Sequence, residues 1–289
     1  MGASPSVLTL KSGVSFDFGK KTYVMGVVNA TPDSFSGDGL FNAPEIAVEQ
    51  ALRMARDGAD VIDIGGESTR PGSEPVSPEE ETRRVLPVIK GIRKASPIPI
   101  SIDTYKSQVA QKALDEGADV INDISGLRFD PEMAGIAARH GAPVIVMHIK
   151  GSPRDMQKHP AYDALMPEIM DYLRGSIWKA LDAGIPEDRI IIDPGIGFGK
   201  TFDHNLEILR NLSELISLEK PILTGVSRKA FIGYILGGAP PEERLEGTLA
   251  AIAVAVANGA DIVRVHDVRE AVKAVKVADA ITDAIRRGL

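Results

Sequence analysis

The chain of 289 residues is predicted to fold as α/β, in the form of a (β/α)8 barrel preceded by a short β-hairpin. Three observations predict it. A junction recurs as Gly58-Ala59-Asp60-Val61-Ile62, Gly117-Ala118-Asp119-Val120-Ile121 and Gly259-Ala260-Asp261-Ile262-Val263. In it, glycine suits the left-handed position after a helix, and the β-branched run suits a strand buried on both faces. Eight apolar runs of strand length alternate with amphipathic stretches. Each run also ends in a polar or ionisable residue, at the end where such barrels carry their chemistry.

In chain order, residues 7–19 alternate around Ser12-Gly13 and read as the hairpin. The strands are expected at 22–30, 60–65, 99–103, 119–125, 143–148, 189–194, 221–226 and 262–266. Gly141-Ala142-Pro143 before Val144-Ile145-Val146-Met147 is a looser fourth copy of the junction. Helical patterns between strands include 45–56, 78–94, 106–116, 165–183 and 244–257, with 268–285 after the last strand. A doubly wound open sheet is the alternative, but its glycine-rich fingerprint is missing from the first strand-to-helix turn. No linker-like stretch cuts the chain, so residues 1–21 are expected to form an extension and 22–289 a single barrel domain.

Composition excludes several classes. With 44% hydrophobic and 25% charged residues, the chain is an ordinary globular one. It has no cysteine, which removes disulfides, thiolate nucleophiles and cysteine-ligated zinc. A net charge of −7 argues against a nucleic-acid partner held by phosphate contacts. The most apolar stretch, 249–257, is too short to span a bilayer, and the sequence shows no n-region plus h-region pattern of a signal peptide. Met1-Gly2-Ala3-Ser4-Pro5-Ser6 fits the loose myristoylation pattern, but no basic cluster follows to supply a second membrane signal. The expectation is a cytoplasmic protein without membrane or nucleic-acid partners.

The polar strand ends are Asn29; Asp63; Asp103-Thr104; Asn122-Asp123; His148; Asp193-Pro194-Gly195; Ser227-Arg228-Lys229; and Arg264, His266 and Asp267. Singly, each has a bland explanation. Asp103 could cap the following helix, Asp193-Pro194 could start a turn, and His148 could be a satisfied core histidine. Eight together are hard to explain so, because burying polar groups without partners is costly. A polar pocket for a heterocyclic or phosphorylated ligand is the better reading. Gly195-Ile196-Gly197-Phe198-Gly199-Lys200-Thr201 looks like a P-loop ending, but Pro194 stands where its first glycine should be. No His-Glu-x-x-His pair suggests a hydrolytic zinc site, and Glu79-Glu80-Glu81 with Arg83-Arg84 reads as a solvated helix face.

These residues fall into six linked motifs: Asn29-Ala30-Thr31-Pro32-Asp33-Ser34-Phe35-Ser36; Asp63 through Gly72; Ser101-Ile102-Asp103-Thr104; Ile121-Asn122-Asp123-Ile124; Asp193 through Phe198; and Ser227-Arg228-Lys229 with Arg264-Val265-His266-Asp267. In this order and spacing, from about Tyr23 to Asp267, the sequence resembles the dihydropteroate synthase family of pterin-binding TIM barrels. The resemblance implies a Mg2+-dependent transferase of folate biosynthesis and a sulfonamide target. It would condense 6-hydroxymethyl-7,8-dihydropterin diphosphate with para-aminobenzoate by a dissociative substitution, as a homodimer.

Carried over residue by residue, the resemblance implies a pterin site of Asp103, Asn122, Asp193 and Lys229, with Met147, Phe198 and Gly225 around it. Ordinary barrel core remains an alternative for Met147 and Phe198. Phe35, Thr69, Arg70, Pro71, Ser227 and Ala230 would form the para-aminobenzoate site, near the helix starting at Ala230. Asn29, Thr69, Arg264 and His266 would hold the diphosphate, with Asn29 on the metal. Asn29, Asp38, Lys229, Arg264 and His266 would be the catalytic set. No general base is needed, because an arylamine is already a free nucleophile at neutral pH.

Two departures stand out. Many members end the first motif Ser-Asp-Gly-Gly, whereas this chain has Ser36-Gly37-Asp38-Gly39, which displaces the loop aspartate by one residue. After Lys229 many carry serine, and here Ala230 removes a hydroxyl from the aminobenzoate side. Weaker binding of the second substrate or of sulfonamides is the expected consequence. The alternatives are a pterin-dependent methyltransferase, a Schiff-base aldolase using Lys229 beside Arg228, and a non-catalytic pterin-binding homologue.

Overall fold

A computed structural model describes residues 7–31, 44–69 and 72–286. β1 (Val7–Thr9) and β2 (Ser15–Asp17) form an antiparallel hairpin. Eight parallel strands follow: β3 (Tyr23–Asn29), β4 (Val61–Gly65), β5 (Ile100–Asp103), β6 (Val120–Asp123), β7 (Val144–Met147), β8 (Ile190–Asp193), β9 (Leu223–Thr224) and β10 (Ile262–Val265). They run β8-β7-β6-β5-β4-β3-β10-β9 in space, and a bridge between Ile192 and Ile222 closes the ring. The helices are α1 (Pro44–Arg56), α2 (Pro78–Ala95), α3 (Ser107–Asp115), α4 (Met133–His140), α5 (Leu165–Asp182), α6 (Phe202–Arg210), α7 (Ala230–Ile235), α8 (Leu245–Ala257) and α9 (Val268–Arg286). This is the TIM barrel with an N-terminal hairpin that the sequence predicts.

The recurring junction has a structural cause in each copy. Gly58, Gly117 and Gly259 hold φ of 104°, 106° and 100°, a region open to glycine and strained for other residues. The aspartate two positions on then accepts an N–H at the start of a neighbouring strand. Asp60 Oδ2 takes Val24 at 2.8 Å, Asp119 Oδ2 takes Ile100 at 2.9 Å, and Asp261 Oδ2 takes Ile222 at 2.9 Å. An N–H at a strand start lacks a ladder partner, so the motif satisfies a donor that would otherwise be buried unpaired. β9 is shorter than the predicted 221–226; at its start Pro221 has no N–H to give a ladder.

Between sheet and helices lies an apolar layer in which Ile62, Ile64, Ile100, Ile102 and Ile121 are fully buried. Burying each such side chain contributes roughly 1.5–3 kcal/mol. The hairpin closes the opposite end. Leu8, Leu10, Phe16 and Phe18 pack onto Tyr23, Met25, Val61, Val120 and Ile262, which start the strands. The Phe16 and Tyr23 rings meet edge-to-face at 4.8 Å, and the Tyr23 hydroxyl accepts the Asp17 N–H at 2.6 Å. With the N-terminal end plugged by hydrocarbon, the mouth at the C-terminal strand ends is left for polar chemistry.

Candidate active site

Register places the polar strand ends on one level. Gly65 of β4 lies opposite Asp103 of β5, which lies opposite Asn122 of β6, and Asn29 of β3 lies opposite Gly65. Arg264 reaches across from β10. Its Nε donates to Asp63 Oδ2 at 2.7 Å and its Nη2 to Asp103 Oδ2 at 2.6 Å. Asn122 Nδ2 donates to the same Asp63 oxygen at 3.1 Å, which leaves the amide oxygen of Asn122 to accept from a ligand. Asp63 is fully buried, and the Arg264 side chain keeps 22% of its surface open to the mouth. Burial works against the charge on Arg264, but Asp63 and Asp103 outweigh it and raise the guanidinium further. Burial pushes the Asp103 carboxyl up; Arg264 pulls against that shift and Asp63 adds to it.

Asp193 ends β8 nearly buried, with one oxygen accepting the Gly195 N–H at 2.7 Å. Burial raises its carboxyl to about 6, opposed by that N–H and by the Lys229 charge. Lys229, just before α7, has no carboxylate partner among the described residues. Its ammonium lies 4.5 Å from the centroid of the Phe198 ring, a cation–π contact. Burial and the Arg264 charge lower it to about 8, against the pull of Asp193 and Asp103. Met147 and Phe198 are buried in a small apolar cluster with Ile124, Ile149 and Met156, separate from the main core. Cluster membership puts both at the mouth, which favours pocket wall over general core. Gly225 follows β9 with only the Arg264 Cβ within reach of an added methyl, at 3.9 Å.

On the other side, the His266 N–H donates to Ser227 Oγ at 3.1 Å, and its Nδ1 shares a hydrogen bond with the same hydroxyl at 3.0 Å. Burial, with Arg264 and Arg228 nearby, lowers His266 to about 4, so the ring is neutral at pH 7. Arg228 is taken up by a bidentate pair with Asp267, which removes it as a neighbour able to activate Lys229 for Schiff-base chemistry. Ala230 is exposed at the first position of α7, a helix of only six residues. An anion there would rely on Ser227 and Lys229 more than on a helix dipole.

Asn29 and Thr69 are half-buried, the former at the end of β3 and the latter in the segment after β4. That segment is pinned where it leaves and rejoins the barrel: Glu67 accepts the Val76 N–H at 2.9 Å, and the Gly72 N–H donates to Pro153 O at 3.2 Å. Lys106 bridges Glu67 and Glu81 below it, each at 2.5 Å. Phe35, Asp38, Arg70 and Pro71 lie outside the described residues. Among the described residues no cluster of three or more His, Asp or Glu is arranged to hold a metal.

Two residues gain a part that the motif comparison did not assign. Asp63 is the acceptor shared by Arg264 and Asn122, and an acidic residue within the apolar run of β4 was the available signal. Lys200 is buried at the mouth beside His148. The turn between β8 and α6 also shows why its glycines are needed. A Cβ on Gly195, at φ 69°, would stand 1.9 Å from His148 O, and one on Gly199, at φ 66°, would stand 2.4 Å from Lys150 O. Gly195→Ala is therefore expected to cost about 3–5 kcal/mol from backbone strain plus overpacking. At ~2–4 °C per kcal/mol, thermal unfolding should fall by roughly 10 °C. An unfolding midpoint within ~2 °C of the parent would show that the turn relaxes freely.

The family model for pterin binding enzymes matches residues 25–266. The chain is 51% identical to the dihydropteroate synthase of Synechocystis over 266 residues, 92% of each chain. It superposes on the dihydropteroate synthase of Clostridium difficile, crystallised in the presence of pteroic acid, with a TM-score of 0.87 at 48% identity, covering 92% of this chain and 98% of that one. For the Xanthomonas albilineans enzyme with 4-aminobenzoic acid the TM-score is 0.90 at 42% identity, with 96% and 98% covered.

Proposed function

This chain belongs to the pterin binding enzyme family, among the dihydropteroate synthases, and we propose that the residues at its barrel mouth divide the reaction between a pterin floor and a diphosphate rim. The reaction joins 6-hydroxymethyl-7,8-dihydropterin diphosphate to para-aminobenzoate, giving 7,8-dihydropteroate and diphosphate, within folate biosynthesis. The observation that carries the division is Arg264. It is held between Asp63 and Asp103 on the floor while its side chain keeps 22% of its surface exposed.

On the floor, Asp193 accepts the adjacent 2-amino and N3–H donors of the pterin, each charge-assisted bond being worth about 1.5–3 kcal/mol. Asn122 accepts through its free amide oxygen, and Lys229 donates to the carbonyl and N5 side. Phe198 and Met147 wall the ring. At the rim, Arg264 supplies positive charge and His266, neutral at pH 7, supplies hydrogen bonding where the leaving oxygen gains negative charge. The bond from the 6-methylene carbon to the diphosphate oxygen breaks with its electron pair going to diphosphate. The positive charge left on the pterin spreads into a ring bordered by the Asp103 carboxylate. The arylamine nitrogen then bonds to that carbon and loses its proton to solvent.

The residues present fit Mg2+, which keeps several waters and uses few protein ligands besides substrate phosphates; Asn29, half-buried at the end of β3, would hold it through its amide oxygen. The ion would neutralise phosphate charge. Para-aminobenzoate is assigned to Ser227, Lys229, Thr69 and the backbone at Ala230, together with Phe35, Arg70 and Pro71. Ala230→Ser should lower the KM for para-aminobenzoate roughly 2–10-fold, the worth of one recovered hydrogen bond. An unchanged KM would remove position 230 from that site.

The reading includes a homodimer through α8 and α9. Val254, Val277 and Ile281 are 47%, 61% and 58% exposed on these helices, and a second copy would cover them. No helix among the described residues is long and apolar enough to cross a membrane; work in the cytoplasm is part of the same proposal. The test is diphosphate release from the pterin diphosphate with Mg2+, with and without para-aminobenzoate. Release that requires both supports the synthase. Tight pterin binding without release would favour a pterin-dependent methyltransferase or a non-catalytic binder.

A further inference from the structure

The Gly195–Thr201 segment fails as a P-loop, and the lysine that gives it that look faces the protein. Lys200 is 2% exposed. Its Nζ lies 2.8 Å from His148 Nδ1, 2.9 Å from Phe198 O and 3.4 Å from His148 O. His148 is itself buried and bound into the site's backbone, its N–H donating to Asp193 O at 2.9 Å. Burial, and then the Lys200 charge, lower the His148 ring to about 2, so it is neutral. A neutral imidazole that accepts at Nδ1 carries its proton on Nε2. The Lys200 ammonium thus finds a ring lone pair and backbone carbonyls from two different strand ends.

The backbone under it leaves no slack. Gly195 and Gly199 approach the 148–150 backbone so closely that a methyl on either would collide with a carbonyl oxygen. Between them, Phe198 carries the ring that faces Lys229, and Asp193 opens the turn with its oxygen on the Gly195 N–H. Asp193 at the end of β8 and Phe198 in the turn after it thus share one short segment. Backbone contact at Gly195 and Gly199, the His148 N–H on Asp193 O, Gln157 and Tyr162 on the Gly197 and Gly199 carbonyls and the buried Lys200 bind that segment to the chain after β7, and Lys200 is the one charged group among them. A buried lysine is an expensive way to hold a loop, because burial penalises the ammonium. Burial holds the Lys200 pKa well below the ordinary lysine value; Asp193 opposes that shift and Lys229 adds to it.

We propose that Lys200 is a positioning residue of the pterin subsite, tying the turn after β8 to the end of β7 so that Asp193 and Phe198 meet the pterin together. The proposal rests on the assignment of Asp193 and Phe198 to the pterin. Lys200 touches no substrate in it; its effect passes through the turn.

The experiment compares the full-length protein with Lys200→Met, which keeps the chain length and removes the ammonium. Removing the ammonium lifts the burial penalty on its charge but deletes its hydrogen bonds to His148 Nδ1 and Phe198 O, so the variant should still fold and melt within several degrees of the parent. Calorimetric titration with 6-hydroxymethyl-7,8-dihydropterin, which lacks the diphosphate, should show at least fivefold weaker binding. The KM for pterin diphosphate should rise, while that for para-aminobenzoate at saturating pterin stays within twofold. A loss of pterin affinity smaller than fivefold overturns the proposal, as does an equal rise in both KM values.

If Lys200→Met does not fold, His148→Phe carries the same test, because it withdraws the ring acceptor and leaves the lysine in place. A pterin affinity reduced at least threefold supports the proposal, and a smaller change overturns it. A parent protein that bound no pterin would instead sink the assignment of the subsite itself.

Discussion

Asp193→Asn is expected to weaken pterin binding by 100-fold or more while leaving the fold intact. The amide has the size of the carboxylate, and its oxygen still accepts the Gly195 N–H that holds Asp193 now. Its other atom is an amide nitrogen, which meets pterin donors as a donor. Two charge-assisted acceptor bonds are lost, roughly 3–6 kcal/mol in sum, and a donor–donor contact is added. Diphosphate release should collapse with the affinity.

The same residue sets a pH dependence. Its pKa is raised to about 6 in the folded protein, and the pterin's donors need the ionised form. Affinity in the parent is therefore full above about pH 6 and falls as pH drops through that value, where binding must first expel a proton. Asparagine does not titrate, so its weak binding should lack that acid limb. Calorimetry from pH 5 to 8 on both proteins checks this. A parent affinity that is flat over the range would mean that Asp193 is not the anchor. The effect on stability has the opposite sign. A carboxyl whose folded pKa lies above its unfolded value loses stability as pH rises between the two. The amide avoids that loss, so Asp193→Asn should not melt earlier at pH 7.

The barrel could be read from the sequence because its junctions repeat a local rule. Gly58, Gly117 and Gly259 mark helix ends through backbone conformation alone, and Asp60, Asp119 and Asp261 recur because each strand start presents the same unpaired N–H. Local chemistry leaves local traces. α6 left a weaker one: its capping box pairs Thr201 with His204 in place of the usual Glu or Gln. Asp103, Asn122, Asp193 and Lys229 were visible as polar residues ending apolar strands, a placement that burial penalises unless the mouth uses them.

The parts that Asp63 and Lys200 play were not readable, for one shared reason: their partners are distant in sequence. Asp63 matters because Arg264, 201 residues away, crosses the mouth to it. Lys200 matters because a turn folds back on His148, 52 residues earlier. In sequence the first is one more acidic strand end, and the second belongs to a glycine-rich segment whose spacing fits no phosphate loop. Only packing of the turn against β7 decides that its lysine points inward.

The second large effect is expected at Arg264. Arg264→Met keeps much of the side-chain volume and removes the cation that Asp63 and Asp103 share. Two carboxylates, one of them fully buried, are then left facing each other without a counter-charge. Breaking a buried pair from one side costs about 3–5 kcal/mol, and loss of the charge at the rim should slow diphosphate departure ~10²–10³-fold. The destabilisation should depend on pH through Asp103, whose carboxyl burial already pushes up and which loses the opposing pull of Arg264 in the variant. A carboxyl raised in the folded state costs stability as pH rises past its unfolded value, so the variant is least impaired near pH 4 and loses stability as pH rises toward 7. The double variant Arg264→Met/Asp63→Asn separates the two roles. Removing the buried negative charge should restore most of the thermal stability and flatten its pH dependence, whereas turnover should stay low because no cation faces the diphosphate. Recovery of turnover together with stability would mean that Arg264 acts only as the counter-ion of Asp63 and Asp103, and the charge assisting departure would then have to come from elsewhere in the mouth.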